Sequence, residues 1–169
     1  MPTNINKNTS PILIRILDTT GDGTGTKDAI GNYSGSVTRF LIKPGVGEKF
    51  IISRMLGQIV DSGSFDSGSY GNGITLTNGI TVGYKKNGVE IDLLDGQVVK
   101  TNVDWAGVCY DVTHSNFGAG NEYLNFRWTF SKSGTWIELN GNNGDELWVG
   151  LHDNFTGLIS QFFTVQGYK

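Results

Sequence analysis

The sequence predicts an all-β protein, an antiparallel two-sheet β-sandwich of jelly-roll type with at most one short helical turn. Three observations predict this class. Apolar residues recur at every second position in short segments, which are separated by breakers rich in glycine and asparagine. No segment carries a sustained apolar stripe at helical spacing. With 25 glycines and 3 prolines in 169 residues, the composition is typical of a globular β-protein with many tight turns.

The first half of the chain contains three predicted strands and a hairpin. The strand segments are SPILIRIL (residues 10–17), SVTRFLIK (residues 36–43) and KFIISRMLGQIV (residues 49–60). The segments ITVGYKK and VEIDLL then flank the dipeptide Asn87-Gly88. Asparagine and glycine tolerate positive φ at both central turn positions, so this dipeptide predicts a two-residue β-hairpin.

The second half continues the pattern. In EYLNFRWTF (residues 122–130), one face carries apolar side chains and the other carries Asn125, Arg127 and Thr129. That alternation predicts a half-buried antiparallel strand. The alternating pattern continues to the C-terminus through the segments TWIEL, ELWVGLHD and TGLISQFFTVQG. The whole chain is therefore predicted to contain about eight to ten strands. The single helical turn is expected at residues 102–107, and a closed barrel is the rival architecture.

Length and charge limit the organisation and the partners. We expect a polar N-terminal arm at residues 1–10 and one sandwich domain at residues 11–169. The net charge is −3 and only Lys85 and Lys86 are adjacent basic residues, so we expect no nucleic-acid partner. No apolar run reaches the length of a membrane span, and the first residues lack a signal-peptide pattern. Cys109 is alone, which excludes an intrachain disulfide and predicts folding in a cytoplasm.

Two glycine-rich segments are candidate ligand sites. TTGDGTGTKD (residues 19–28) is not a phosphate loop, because Lys27 is followed by Asp28 rather than serine or threonine. Asp18, Asp22 and Asp28 lack the spacing of a calcium loop. The ribbon at residues 62–73 matches neither dinucleotide nor nucleophile-elbow spacing, and it is interpreted as a connector and a candidate interface. We predict no metal and no cofactor.

Residues that could support acid–base or nucleophilic chemistry do not form a recognisable constellation. We predict that His114 lies in a loop, that His152 lies at a strand end and that Cys109 is a small core residue. The sequence does not place a nucleophile beside the pair Asp111 and His114 or the pair His152 and Asp153. We therefore predict that the protein is not an enzyme and has no catalytic residues. The full candidate set is His114, His152, Asp111, Asp153, Glu122, Glu138 and Cys109.

The four tryptophans separate into two classes. Trp128 lies on the apolar face of its segment and Trp148 is flanked by apolar neighbours, so both are predicted to be core residues. Trp105 and Trp136 are less clearly buried. Exposed aromatic rings can stack on sugars, so carbohydrate binding remains an alternative.

The chain resembles small structural proteins of tailed bacteriophages. The stretches that carry the resemblance are KPGVGEKFIISRM, YGNGITLTNGI, VGYKKNGVEIDLLDG, DWAGVCYDVTH, EYLNFRWTFSKSG and TGLISQFFTVQGY, about the last three-quarters of the chain. The resemblance implies a virion component, either a head decoration (cement) protein or a piece of a fibre or tail. It transfers no functional residues.

From this resemblance we predict a capsid decoration protein that binds the major capsid protein and copies of itself, as a dimer or trimer, in a virion assembled in the host cytoplasm. The expected contacts are the arm at residues 1–10, the loop at residues 19–32 and the ribbon at residues 62–73. Lys43, Lys85 and Lys86 are expected to protect sheet edges. The alternative is a carbohydrate- or receptor-binding module of a phage fibre or tail that uses Trp105 or Trp136.

Overall fold

A computed structural model describes residues 13–23, 38–61, 69–70, 74–75, 80–93, 111–116, 122–130, 136–151 and 158–169. These residues form two antiparallel sheets and one short hairpin, and a 3-10 helix lies at Gly141–Asn143. The all-β class and the two antiparallel sheets are therefore as predicted. No helix in the described part of the chain is long and apolar enough to cross a membrane.

Sheet A contains six strands. Five of them lie in the order β1-β12-β3-β9-β8, and β10 pairs with the first four residues of β3. The strands are β1 (Leu13–Ile16), β3 (Lys49–Asp61), β8 (Asp111–Asn116), β9 (Glu122–Thr129), β10 (Ile137–Asn140) and β12 (Leu158–Tyr168).

Sheet B contains four strands in the order β2-β11-β6-β7. They are β2 (Thr38–Ile42), β6 (Ile80–Lys86), β7 (Val89–Asp92) and β11 (Glu146–Leu151). Asn87 and Gly88 have φ values of 51° and 82°, which confirms the predicted hairpin between β6 and β7.

Three predictions about the strands are corrected. The described residues contain twelve strands rather than eight to ten, partly because β4 (Ser69–Tyr70) and β5 (Ile74–Thr75) form a two-residue hairpin at the end of the glycine-rich ribbon. His114 lies in β8 and not in a loop. Lys85 and Lys86 do not protect an edge, because β6 lies between β11 and β7; Lys43 does follow an edge strand, β2.

A β-bulge divides the long strand β3. Ile52 pairs with Gly167 and Arg54 pairs with Gln166, so Ser53 is the extra residue. Its hydroxyl donates a hydrogen bond of 3.0 Å to the Gln166 carbonyl oxygen. The extra residue reverses which side chains face the core, and it marks the point where the neighbour of β3 changes from β10 to β9.

The apolar core lies between the two sheets. Phe40 of sheet B contacts Phe163 of sheet A, with ring centroids 5.5 Å apart. Burial of each such side chain stabilises the fold by roughly 1.5–3 kcal/mol. Trp128 is buried here, as predicted. The buried cluster consists of Leu13, Leu17, Phe50, Ile52, Met55, Trp128, Leu139, Phe163 and Val165, together with Phe40, Ile42, Val82, Leu147 and Val149.

Candidate functional site

The outer face of sheet A carries apolar side chains on neighbouring strands, two of them exposed and two partly exposed. Trp136 is 48% exposed and Ile14 is 56% exposed. The Trp136 ring contacts that of Tyr168, with centroids 6.0 Å apart and planes tilted by 59°. Ile51 lies opposite Tyr168 in the ladder between β3 and β12. We call Ile14, Ile51, Trp136 and Tyr168 the aromatic strip.

Local strand geometry places these residues on one face. Leu139 of β10 points into the core, so Glu138 and Trp136 fall on the opposite side of the strand direction. Phe50 and Ile52 of β3 are core residues, which leaves Ile51 facing outwards. The strip therefore crosses four neighbouring segments of sheet A, from β1 to the start of β10.

Two lysine–glutamate pairs flank the aromatic strip. Lys49 Nζ lies 2.9 Å from a carboxylate oxygen of Glu138, which is opposite Ile51 in the ladder. Lys169, next to Tyr168, pairs with Glu48. The hydrogen bond from Lys169, helped by the Gly45 N–H, holds the pKa of Glu48 below its ordinary value. These charges are exposed, so they act mainly as a polar rim around an apolar patch.

Sheet B carries an outward-facing aromatic residue in a different environment. Trp148 lies on the face of β11 opposite the core residues Leu147 and Val149, yet it is only 3% exposed. Its predicted burial is confirmed, but it lies outside the core between the sheets. The Arg39 guanidinium covers it, with Cζ 4.3 Å from the ring centroid. Gly83 lies against the indole: a Cβ there would be 2.5 Å from Trp148 Cζ2.

Arg39 is held over Trp148 by a carboxylate three strands away. Its two terminal nitrogens donate hydrogen bonds of 2.8 and 3.0 Å to the two oxygens of Glu90 on β7. This hydrogen bonding lowers the pKa of Glu90 and raises that of Arg39. We call Arg39, Glu90 and Trp148 the capped tryptophan.

At one end of the molecule, Asp145 links two turns. Its carboxylate is buried and accepts hydrogen bonds from the backbone N–H groups of Asn87, at 2.9 Å, and Asn140, at 3.0 Å. Asn143 Nδ2 donates a bond of 2.7 Å to Asn87 Oδ1. Asn142 Oδ1 accepts from the Gly47 N–H at 2.8 Å. This end is therefore held together by short polar side chains.

The structure accounts for part of the aspartate-rich loop. Asp18 is buried, and its Oδ1 accepts hydrogen bonds from the Thr20 N–H and hydroxyl and from the Gly21 N–H. Asp22 is exposed, whereas Asp28 lies outside the described residues. Within the described residues, no group of three or more acidic, histidine or cysteine side chains is placed to hold a metal ion.

The structure brings few of the other candidates together. Glu138 pairs with Lys49, whereas Asp111 and His114 are described only as backbone positions of β8, and Glu122 only as the first residue of β9. The remaining candidates lie outside the described residues; they are Cys109, His152, Asp153 and Trp105, with the arm at residues 1–10, most of the loop at residues 19–32 and most of the ribbon at residues 62–73.

Sequence reasoning singled out Trp136 but did not identify its neighbours. Tyr168 lies at the end of β12 and Ile14 lies within an apolar run, and neither position by itself indicates exposure. The alternation of β12 places Tyr168 on the side opposite Val165, which was a usable signal. Its proximity to Trp136 depends on the pairing of β12 and β10 with β3.

No protein-family model, curated protein or solved structure matched this chain significantly.

Proposed function

We propose that this protein is a structural component of a tailed-bacteriophage virion, a jelly-roll capsid decoration protein that binds the major capsid protein and stabilises the head. Two things support the proposal: the resemblance of its sequence to small virion proteins, and the aromatic strip on sheet A. The strip carries the structural part of the argument, because exposed neighbouring apolar side chains rimmed by charges are characteristic of protein-binding surfaces.

The strip has the composition of an interface centre. Tryptophan and tyrosine are enriched among residues whose truncation weakens protein complexes most. Ile14 adds a further exposed apolar side chain on the same face, opposite Gln166 in the ladder. The Lys49–Glu138 and Lys169–Glu48 pairs provide a rim that neighbouring polar groups on a capsid can satisfy. A stable contact buries about 800 Å² on each partner, so the strip would be its centre and other segments would complete it.

The proposed mechanism is additive. Each copy joins neighbouring capsid subunits through a modest interface, and binding to the closed shell but not to the opened one raises the free energy of opening. Self-association as a dimer or trimer at a symmetry axis would multiply these contacts. The arm at residues 1–10, the loop at residues 19–32 and the ribbon at residues 62–73 are the further contacts in this proposal.

The test uses particles of the phage that encodes this chain, produced without it. Purified protein is added, binding is measured by co-sedimentation, and genome release is followed during heating. We expect the wild-type protein to bind and to raise the release temperature. The double variant Ile14→Glu/Trp136→Glu should bind about 1,000-fold more weakly, because loss of two interface-centre residues costs about 2 kcal/mol each.

A matched control separates the strip from general surface change. Val89→Glu alters another exposed apolar residue, on sheet B, and it should bind as the wild type does. Equal weakening by Val89→Glu and by the double variant would argue against a specific role for the strip. Absence of the protein from wild-type particles would contradict the decoration proposal itself.

A second candidate function is carbohydrate or receptor binding by a fibre or tail module. The tilted Trp136–Tyr168 pair favours it, because an indole ring can stack on the apolar face of a pyranose while nearby Glu138 and Lys49 bind hydroxyl groups. A glycan array distinguishes this function. Specific binding that is lost in Trp136→Ala, with no binding to purified capsids, would favour the alternative over decoration.

A further inference from the structure

Asparagine followed by glycine can modify itself, and this chain contains five such pairs. Three of them, at Asn87, Asn140 and Asn143, lie in the described part of the chain and meet at the end of the molecule held by Asp145. The reaction needs three things: a glycine nitrogen able to attack, space for the chain to turn, and a side-chain carbonyl able to accept electrons. Of the three sites, only Asn87-Gly88 combines all three.

At two of the sites, the N–H of the attacking glycine nitrogen already donates a hydrogen bond. The Gly141 N–H donates a hydrogen bond of 3.0 Å to the Glu48 carbonyl, and the Gly144 N–H donates one of 3.1 Å to the Gly141 carbonyl. The Gly88 N–H makes no hydrogen bond with the described residues. Of the three, only the nitrogen of Gly88 attacks without first breaking such a bond.

Lack of space disfavours the Asn140 site. Gly141 is packed against the backbone of Gly45, so its chain cannot turn without separating two loops. A Cβ at Gly88 or at Gly144 would meet no atom within 4 Å, and both central residues of the Asn87-Gly88 turn are exposed. The tip of the β6–β7 hairpin therefore has room for Gly88 to approach the side chain of Asn87.

The side-chain carbonyl of Asn87 is also polarised, as is that of Asn140, whose Oδ1 accepts a hydrogen bond of 3.0 Å from the Asn142 N–H. Asn143 Nδ2 donates to Asn87 Oδ1 at 2.7 Å, and that oxygen is the atom on which negative charge develops when the carbonyl carbon is attacked. A donor already aimed at a developing oxyanion lowers the barrier. Asp145 binds the Asn87 backbone N–H instead, away from the reacting carbonyl.

We propose that Asn87 is a site of spontaneous deamidation in the folded protein, with Asn143 acting as the positioning donor. The Gly88 nitrogen forms a bond to Asn87 Cγ and gives up its proton to water. The Cγ–Nδ2 bond then breaks as Nδ2 takes up a proton from water, so that ammonia leaves and a succinimide ring remains. Water adds to either ring carbonyl and opens the ring to aspartate or isoaspartate; no atom is oxidised or reduced.

The products alter the hairpin that carries Glu90. A new carboxylate appears at residue 87, beside the buried carboxylate of Asp145. Isoaspartate also adds a methylene group to the backbone of a two-residue turn, which shifts the pairing of β6 with β7. Modification would therefore slowly loosen β7, the strand whose Glu90 holds Arg39 over Trp148.

The experiment follows the full-length folded protein at mildly basic pH by peptide mass. Cleavage after lysine and arginine yields a peptide of residues 87–100, which holds Asn87, and one of residues 133–169, which holds Asn140 and Asn143. We expect the gain of about one mass unit, with isoaspartate, to appear first in the former. Equal or faster conversion at Asn140 or Asn143 would overturn the proposal.

Asn143→Ala tests the donor, with Asn142→Ala as the matched control in the same loop. Asn143→Ala should slow conversion at Asn87 about 2- to 10-fold, the equivalent of one hydrogen bond, and Asn142→Ala should leave it unchanged. In urea-unfolded chains the wild type and both variants should convert at one rate. Acceleration by Asn143→Ala in the folded protein would show that the bond protects Asn87, contrary to the proposal.

Discussion

Trp136 and Trp148 both lie on the outer face of a sheet, yet one is 48% exposed and the other 3%. Trp148 is covered by Arg39, and Glu90 holds Arg39 in place. Trp136 contacts Tyr168 and remains half open to solvent. The comparison teaches that an aromatic residue on the outer face of a sheet is either enclosed by its own chain or available to another molecule. We therefore expect Trp148 to contribute mainly to stability and Trp136 mainly to binding.

The largest expected effect is on the capped tryptophan. Trp148→Ala should lower the free energy of unfolding by about 3–5 kcal/mol, because it empties a buried site and removes the surface on which Arg39 stacks. Urea unfolding at neutral pH measures this. A loss no greater than that of Trp136→Ala would mean that the two environments are energetically alike.

Gly83 tests how closely the indole lies against sheet B. Gly83→Ala should destabilise the fold by about 1–3 kcal/mol, because the new Cβ would be 2.5 Å from both Trp148 Cζ2 and the Ile91 carbonyl oxygen. Gly45→Ala is the control, since its Cβ would meet only the flexible end of Glu48. The two variants are compared by thermal unfolding, and equal shifts in Tm would contradict the close packing of Trp148 on Gly83.

Removal of the cap should have a smaller effect. Arg39→Ala should cost about 1 kcal/mol, since it loses a cation–π contact and a bidentate but partly exposed ion pair. The tryptophan fluorescence of the variant should also become more accessible to a soluble quencher. No change in either the free energy of unfolding or the quenching would show that Arg39 does not cover Trp148 in solution.

The ion pair adds a pH dependence of defined sign. Because the Arg39 hydrogen bond lowers the pKa of Glu90 from its ordinary value of 4.5, the contribution of Glu90 is complete above pH 4.5. It is lost as the pH falls through the lowered pKa. The difference in unfolding free energy between the wild type and Glu90→Gln should therefore shrink in acid. A difference that stays constant from pH 7 to pH 3 would contradict this linkage.

The smallest expected effect on stability is at the aromatic strip. Trp136→Ala should change the free energy of unfolding by less than about 0.5–1 kcal/mol, because about half of the side chain is already in solvent. The same variant should lose binding to the capsid or, under the second candidate function, to a glycan. A large loss of stability with unchanged binding would reverse the comparison.

Much of the fold was predictable from the sequence, because a strand with one buried face shows its period directly. The segments that became β2, β3, β9 and β11 were recognised, and the Asn87-Gly88 turn was specific enough to pair β6 with β7. His114 was misplaced because polar residues dominate its segment, and β8 is specified by its pairing with β9 rather than by its own apolar residues. The bulge at Ser53 was not predicted, since an extra residue is defined only relative to the partner strand.

The candidate sites were less predictable than the strands. Trp136 was recognised as a tryptophan without clear burial, but Tyr168, Ile51 and Ile14 joined it only through the register of sheet A. The predicted burial of Trp148 is correct, but the reason for it, its apolar neighbours in the sequence, is not. Its apolar neighbours Leu147 and Val149 point to the core, whereas the residues that enclose it belong to β2, β6 and β7.

The sequence by itself determined the all-β class, the two faces of most strands and the turn at Asn87-Gly88, because these depend on neighbours within a few residues. Only the tertiary structure decided which outward-facing tryptophan is covered. Arg39 and Glu90 are 51 residues apart in the chain, and Trp136 meets Tyr168 from another strand. Alternation assigns a side chain to a face, but the pairing of distant strands determines what else lies on that face.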